Sequence, residues 1–313
     1  MEIDEVDART ASDDVLARFY EIERVCHEEV DSRQPFRTRD EAIAFHRFLP
    51  ETTTIGHWLA EDGCAVLWMH GPTATFCEVL VLPDSRRQGL GAALLDRVVE
   101  RCRELGVETV RGEHMMPAGA AFSARAGAVD GQRIVRSLLD LRAAELPEPV
   151  VPDGFRLVSW LARTPAEHLD AYVRARGAMD DAPAPDDMDY PTETAERVRA
   201  MEASCARRNR EMRVTVAMDD AGDIGAFTDL RATPGSVLGF TDDTGTVAAH
   251  RGKGLARAVK IESLRWLRAD HPEIEVVTTR NAEENAAMRH INESVGFRPT
   301  VIETTAALAI RPS

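Results

Sequence analysis

Apolar residues recur along this chain in two rhythms. Over 12–31 and 39–48 they return at helical spacing, and the short apolar runs at 57–59 and 64–69 read as strands. A further strand is predicted at 79–82. Behind it Leu90, Leu94, Val98, Cys102 and Leu105 fall on one stripe, the period of a helix lying on a sheet, before a strand at 108–111. The second half repeats this order behind a longer helical front. Helices are predicted over 165–176 and 192–208, strands over 212–218 and 224–230, then a helix carrying Leu255, Val259 and Trp266 in line, then a strand at 276–279. Asn281 with Glu284 three residues later predicts a capping box, opening a last helix that stops near Gly296. Strands alternating with helices give a mixed α/β fold in each half.

One segment occurs twice at the same place in this order. Arg86-Arg87-Gln88-Gly89-Leu90-Gly91 follows the first strand–helix junction, and Arg251-Gly252-Lys253-Gly254-Leu255-Ala256 follows the second. Both fit Arg-x-x-Gly-x-Gly/Ala. Glycines at such a turn let the backbone approach a ligand, and a helix start presents free N–H groups and the positive end of its dipole. That combination holds a phosphate or pyrophosphate. The Walker pattern is absent. A dinucleotide turn fits less well, because the third glycine position holds Leu94 and six residues separate the strand from Gly89. The recurrence at half-chain spacing implies two similar domains, 1–146 and 154–313, with the Pro-rich stretch 147–153 between them as a semi-stiff linker.

These residues resemble the GNAT superfamily of acyl-CoA-dependent N-acyltransferases. Its diagnostic segment is a strand, then Gln/Arg-x-x-Gly-x-Gly/Ala, then a helix, followed some forty residues on by a helix ending in a Gly-Phe-like pair. The second copy supplies that ending in the run from Asn281 to Gly296-Phe297, and the first supplies only Phe122 to Gly127-Ala128. The tandem layout is similar to that of mycothiol synthase and its relatives. The resemblance implies that acetyl-CoA or CoA is held by Val247, Arg251, Gly252, Lys253, Gly254, Leu255 and Ala256, with Asn281 and Asn285 near the later helix. In the first domain it implies Leu82, Arg86, Arg87, Gln88, Gly89, Leu90 and Gly91. It also implies transfer of an acetyl group to a primary amine of a small molecule.

The family's usual acid is a tyrosine four residues before the glycine of the Gly-Phe pair. Asn292 stands there in the second domain and Ser123 in the first, and neither can protonate a thiolate as a phenol does. Asn292 donating a hydrogen bond, water, or another side chain are the remaining routes. For the base, Asp242 and Asp243 precede the second loop and Glu78 the first; strand alternation lets at most one of the adjacent aspartates face the cleft, and Asp243 is preferred. Asp180, Asp181 and Tyr190, in the acidic connection 179–190, would draw in a cationic amine. The stretch 115–121 in the first half carries a proline and lacks asparagine, so its helix is predicted to start late. Chemistry is therefore expected in the C-terminal domain, with the N-terminal one structural or holding CoA without turnover. A non-catalytic acyl-CoA-binding protein, and mycothiol synthase proper, are the alternatives.

Composition narrows this further. A formal net charge of −15 over 313 residues opposes non-specific nucleic-acid binding. The five scattered cysteines form neither C-x-x-C pairs nor a ligand cluster, which points to reduced thiols in the cytoplasm and no metal site. The acidic start lacks a signal-peptide pattern, and no apolar run spans a membrane. A monomer or weak homodimer is expected.

Overall fold

The computed structural model describes residues 2–48, 54–70, 74–181, 183 and 192–311. Two compact units emerge. The first runs to Ile134 and takes in the chain again from Val301; the second holds Val135–Pro183 and Thr192–Thr300.

In the first unit, helices α1 (Asp13–Val30) and α2 (Arg39–Arg47) precede strands β2 (Thr54–Leu59), β3 (Gly63–His70) and β4 (Ala74–Val81), with the short β1 (Asp4–Glu5) on the edge. Ser12 caps α1, and Thr38 with Glu41 forms a full capping box on α2, so both helices begin where a side chain satisfies their first amides. Strands β2, β3 and β4 are antiparallel neighbours. Helix α3 (Leu90–Glu104) follows β4, then β5 (Thr109–His114), α4 (Pro117–Ala126) and β6 (Val129–Asp140). Leu90, Leu94, Val98 and Cys102 of α3 are buried against Trp58, Ala65 and Leu67, each fully buried Leu or Val contributing about 1.5–3 kcal/mol. Leu105 departs from the expected stripe: it is the C-cap of α3 and 50% exposed, because the helix ends before that position turns inward. The sheet is completed from far along the chain. Residues 304–309 of β12 (Arg298–Ala309) pair antiparallel with β5, Ala306 opposite Gly112.

The second unit opens with β7 (Phe155–Leu161), α5 (Ala166–Arg176) and α6 (Ala195–Arg207), then the antiparallel β8 (Glu211–Asp219), β9 (Ile224–Ala232) and β10 (Leu238–Thr246). Helix α7 (Leu255–Asp270), β11 (Val276–Ala282) and α8 (Ala286–Val295) follow. Strand β9 is buried at all nine positions, as a strand covered on both faces must be. The α7 stripe is Leu255, Val259, Ile261, Leu264 and Leu267; Trp266 is only half-buried, with the Arg213 guanidinium stacked 3.9 Å from its ring.

The stretch 147–153 lies inside the second unit and not between the two. Leu146 just before it is buried in that unit's core, and Arg265 of α7 donates to the Leu146 carbonyl at 3.0 Å. The residues between Val135 and Asp140 likewise belong to the second unit, with Leu139 in its core beside Val277 and Phe297. Compact units and sequence halves thus differ at the strands that each half donates.

Candidate active site

The two Arg/Gly loops have the same backbone. Each strand ends in one 3-10 turn, Pro83–Ser85 or Ala248–His250, and each loop then takes two left-handed residues. These are Arg87 (φ 66°) and Gly89 (φ 91°) in the first, Gly252 (φ 75°) and Gly254 (φ 81°) in the second. Gly89 and Gly254 are the N-caps of α3 and α7 and offer no side chain to the first-turn amides. Four other helices have a side-chain cap, from Ser12, Thr38, Thr194 or Asn285. The open amides begin at Leu90, Gly91 and at Leu255, Ala256, whose side chains anchor the helix start: Leu90, Leu255 and Ala256 are buried. A Cβ built on Gly89, Gly252 or Gly254 meets nothing within 4 Å, so a free cradle faces those amides. The residues present fit a pyrophosphate. Gly91 is small for a different reason, since a Cβ there would meet Phe122 of α4 at 3.3 Å.

The first arginine of each loop turns back on the protein. Arg86 bonds the Val81 carbonyl (3.0 Å) and takes Glu29 of α1 in a two-pronged ion pair (2.9 and 2.6 Å). Arg251 bonds the Thr246 carbonyl (3.3 Å) and pairs with Asp181. These guanidiniums brace the loop, whereas the resemblance places them among the residues that hold CoA. Leu82 and Val247 are also framework: their N–H groups go to Asp62 and Gly225 and their carbonyls start the 3-10 turns. Gln88 bonds the Asp84 carbonyl, and Lys253 stands 3.2 Å from His250 Nδ1 at the surface. Arg87 is exposed.

Beyond the second loop the sheet forks. Strands β10 and β11 run parallel for three positions only, 238–240 against 276–278. On its other side β10 carries a bulge between Thr241 and Thr244, so Asp242 and Asp243 both lie opposite Asp229. The bulge overturns the alternation expected of the adjacent aspartates. Asp243 pairs with Arg176 (2.6 Å) and Asp242 with Arg231 (3.4 Å), and the buried Asp229 joins both arginines at 2.8 and 3.3 Å. Glu193 adds a third carboxylate to Arg176 at 3.1 Å. Burial, then the negative Asp229 and Asp242, push the Asp243 carboxyl up to about 6 against the pull of Arg176. Arg176 and Asp229 went unnoticed in the sequence, where nothing marks an arginine at a helix end or an aspartate inside an apolar strand as partners.

The asparagines sit on the other arm of the fork. The capping box at Asn281 and Glu284 is not formed, because β11 continues to Ala282; Asn285 caps α8 instead, accepting from the Met288 amide at 3.2 Å. Gly296 ends α8 in the left-handed conformation (φ 114°), as the sequence indicates. Asn292 is buried and donates to the Asn281 side-chain oxygen at 2.6 Å, while its own oxygen has no partner among the described residues. Among the acidic-connection residues Asp181 is exposed and held by Arg251. The Asp180 side chain and Tyr190 lie outside the described residues.

The first unit has its own fork. Strands β4 and β5 share one parallel ladder position, Phe76 with Arg111. Glu78 of β4 is solvent-exposed yet surrounded by protein, the mark of a recess; loss of water around it, then Glu23 and Glu113, raise it to about 7 against Arg37. Behind it a buried chain runs from Glu23 through His46 (2.8 Å) to His57 (3.2 Å). Burial and then His46 depress His57 to about 3. Helix α4 is ten residues long, as α8 is, and does not start late, because Pro117 occupies its first turn, where the missing N–H is harmless. Ser123 lies half-buried on α4.

Two glycine-capped helices behind forked strands give a tandem α/β fold. The acetyltransferase (GNAT) family pattern matches residues 16–121. Among curated proteins, mycothiol acetyltransferase of Catenulispora acidiphila is 39% identical over 29% of this chain and 28% of its own length. Those of Amycolatopsis mediterranei and Parafrankia sp. are each 26% identical, over 61% and 78% of this chain and 62% and 80% of theirs. The chain thus spans less than two thirds of the first two relatives. A solved tandem GNAT protein from the clavulanic acid biosynthesis pathway shares the fold at TM-score 0.84 and 24% identity, covering 100% of this chain and 99% of that one. A GCN5-related N-acetyltransferase from Sphaerobacter thermophilus superposes at 0.75 with 16% identity, over 99% and 96%. Residues 16–121 thus carry the GNAT family pattern, and the whole chain has the fold of a tandem GNAT protein.

Proposed function

We propose that the protein is an acetyl-CoA-dependent N-acetyltransferase acting on a primary amine of a small molecule, with chemistry in the C-terminal domain. The observation that carries this is the open, glycine-capped start of α7 beside the fork that holds Asp243. Gly252, Gly254, Leu255 and Ala256 would hold the pyrophosphate, and Lys253, Asn281 and Asn285 would border the donor. Bound acetyl-CoA supplies an activated acyl carbon. The chain's own part is to orient the amine and take its proton. An ammonium has no lone pair, and Asp243, titrating at about 6, is a carboxylate at neutral pH able to receive that proton directly or through water. Asp181 with the surrounding acidic residues would favour a cationic acceptor. The N-terminal domain is read as structural, or as binding CoA at Arg87, Gly89 and Gly91 without turnover.

The test is release of free thiol from acetyl-CoA across a panel of primary amines. Tight acetyl-CoA binding with no amine accepted would leave a non-catalytic acyl-CoA-binding protein, the reading that the missing phenol at Asn292 favours. The acceptor of the enzymes named mycothiol acetyltransferase is a narrower option, supported by the relatives reported above. The five free cysteines support a cytoplasmic location, and the net charge of −15 a protein that works without nucleic acid. No described helix is long and apolar enough to cross a membrane. A monomer or weak homodimer is the proposed state.

A further inference from the structure

Of the 38 lysines and arginines in this chain only two are lysines, Lys253 and Lys260. Elsewhere the protein buries positive charge as guanidinium set against carboxylate, as at Arg176, Arg213 and Arg231. What a lysine offers in place of arginine is a compact amine that can give up its proton. Lys253 lies exposed in the loop, but Lys260 is 2% exposed, on α7 between Val259 and Ile261. Its Nζ donates to Thr244 Oγ1 at 3.3 Å, its one hydrogen bond among the described residues, and stands 5.6 Å from the centre of the Phe297 ring. No carboxylate among the described residues comes within ion-pairing distance. The charged group that acts on it is Asp229 of β9, already shared between two arginines. Thr244 lies on β10 past the last position paired with β11, so the amine is lodged at the base of the fork. No fixed structural charge is needed there.

We propose that Lys260 supplies the proton taken by the sulfur of the acyl donor as it leaves, directly or across the Thr244 hydroxyl, the task for which Asn292 has no acidic hydrogen. This rests on the acetyl-transfer reading. The amine nitrogen forms its bond to the acyl carbon, the carbon–sulfur bond breaks, and the Lys260 ammonium gives a proton to the thiolate. The proton released by the amine goes to Asp243, and exchange with water returns both groups to their starting states. Burial lowers Lys260 to about 7, so both forms are present at neutral pH, as a group that must give and regain a proton requires.

The experiment uses the full chain labelled with 13C-lysine, where only two side-chain signals exist, and CoA as the probe. One signal, absent from Lys260→Met and Lys260→Arg, is expected to titrate near neutrality. Both variants should still bind CoA, and both should lower kcat about 10²–10⁴-fold with little change in donor KM. The wild-type kcat should fall as pH rises through the Lys260 titration, because the acid must be protonated, and both variants should lack that limb. An ordinary lysine titration at Lys260, or the same alkaline limb in Lys260→Met, overturns the inference and leaves acetyl transfer standing. Failure of the folded wild type to bind CoA overturns both.

Discussion

The two domains share a loop backbone and differ in what stands beside it. In the first, the groups around the fork are few and weakly compensated: an accessible Glu78, and a buried chain of Glu23, His46 and His57. In the second they are full charges locked together, with Asp229 held by two arginines and Arg176 by three carboxylates. Such a loop is a backbone device and recurs wherever its two left-handed residues keep their φ, as Arg87 and Gly252 do at the same position. A network of buried charges depends on every member, so it diverges as a unit or not at all. On the proposed function, the difference assigns ligand binding to the loop and the use made of that ligand to the fork.

The largest expected effect breaks that network. Asp229→Ala leaves Arg176 and Arg231 buried without their shared partner and should cost about 3–5 kcal/mol of stability, measured by urea unfolding. Glu23→Gln in the first domain removes a carboxylate whose pKa is already lowered, with Arg37 and the His46 hydrogen bond outweighing burial. It leaves only hydrogen-bonding groups unsatisfied, so about 1–3 kcal/mol is expected. Equal losses in the two variants would erase the contrast between locked charges and weak ones.

Next come the glycine caps. Val at the left-handed Gly254 or Gly89 strains the backbone by about 1–2 kcal/mol and puts a side chain into the open cradle. Gly254→Val should weaken acetyl-CoA binding about tenfold or more and abolish most turnover. Gly89→Val should spare turnover. The reverse pattern, in proteins shown to be folded, places the chemistry in the first domain, where Glu78 would be its base.

Much of this was legible in the sequence, for reasons that are local. The paired loops, the glycine stop at Gly296 and most helices follow from turn chemistry and period, which a short window carries. The β10 bulge was not legible, since one extra residue opposite Asp229 is a matter of register with another strand. The missed ends share that cause. Asn281 and Glu284 spell a capping box, yet Asn281 is claimed by β11 and bonded to Asn292, so the cap moved to Asn285. The domain boundary was obscured because strand 298–309 completes a sheet whose other strands lie some two hundred residues earlier, beyond any local signal. Lys260 left a trace, a lysine inside an apolar helical stripe, but its rarity gains meaning only once Thr244 is found beside it.

The two domains should also respond oppositely to acid. His57 is depressed from 6.5 to about 3 in the fold, so it contributes stability above pH 6.5 that is lost as pH falls toward 3. Asp243 is raised from 3.8 to about 6, so its contribution is present below 3.8 and lost as pH rises through 6. Each group can slope stability by at most about 1.4 kcal/mol per pH unit. Unfolding free energies between pH 4 and 7 should therefore flatten in His57→Asn and steepen in Asp243→Asn. Parallel shifts in both variants would show that the opposition is absent.

The smallest effect is the most discriminating for the ligand. Asn285 caps α8 with its side-chain oxygen, whereas α4, its counterpart, begins at Met116 and Pro117 with no side-chain cap. Asn285→Ala should therefore cost about 1 kcal/mol, seen as a modest fall in the unfolding midpoint. Asn285→Ser keeps a cap acceptor and should recover most of that stability. It does not keep the amide nitrogen, which the cap leaves free to donate. If that nitrogen contacts CoA, Asn285→Ser will be stable and yet bind CoA more weakly than the wild type by calorimetry. If affinity returns together with stability, Asn285 acts only as a cap, and the polar contacts that set the second domain apart from the first lie with Asn281 and Asn292 alone.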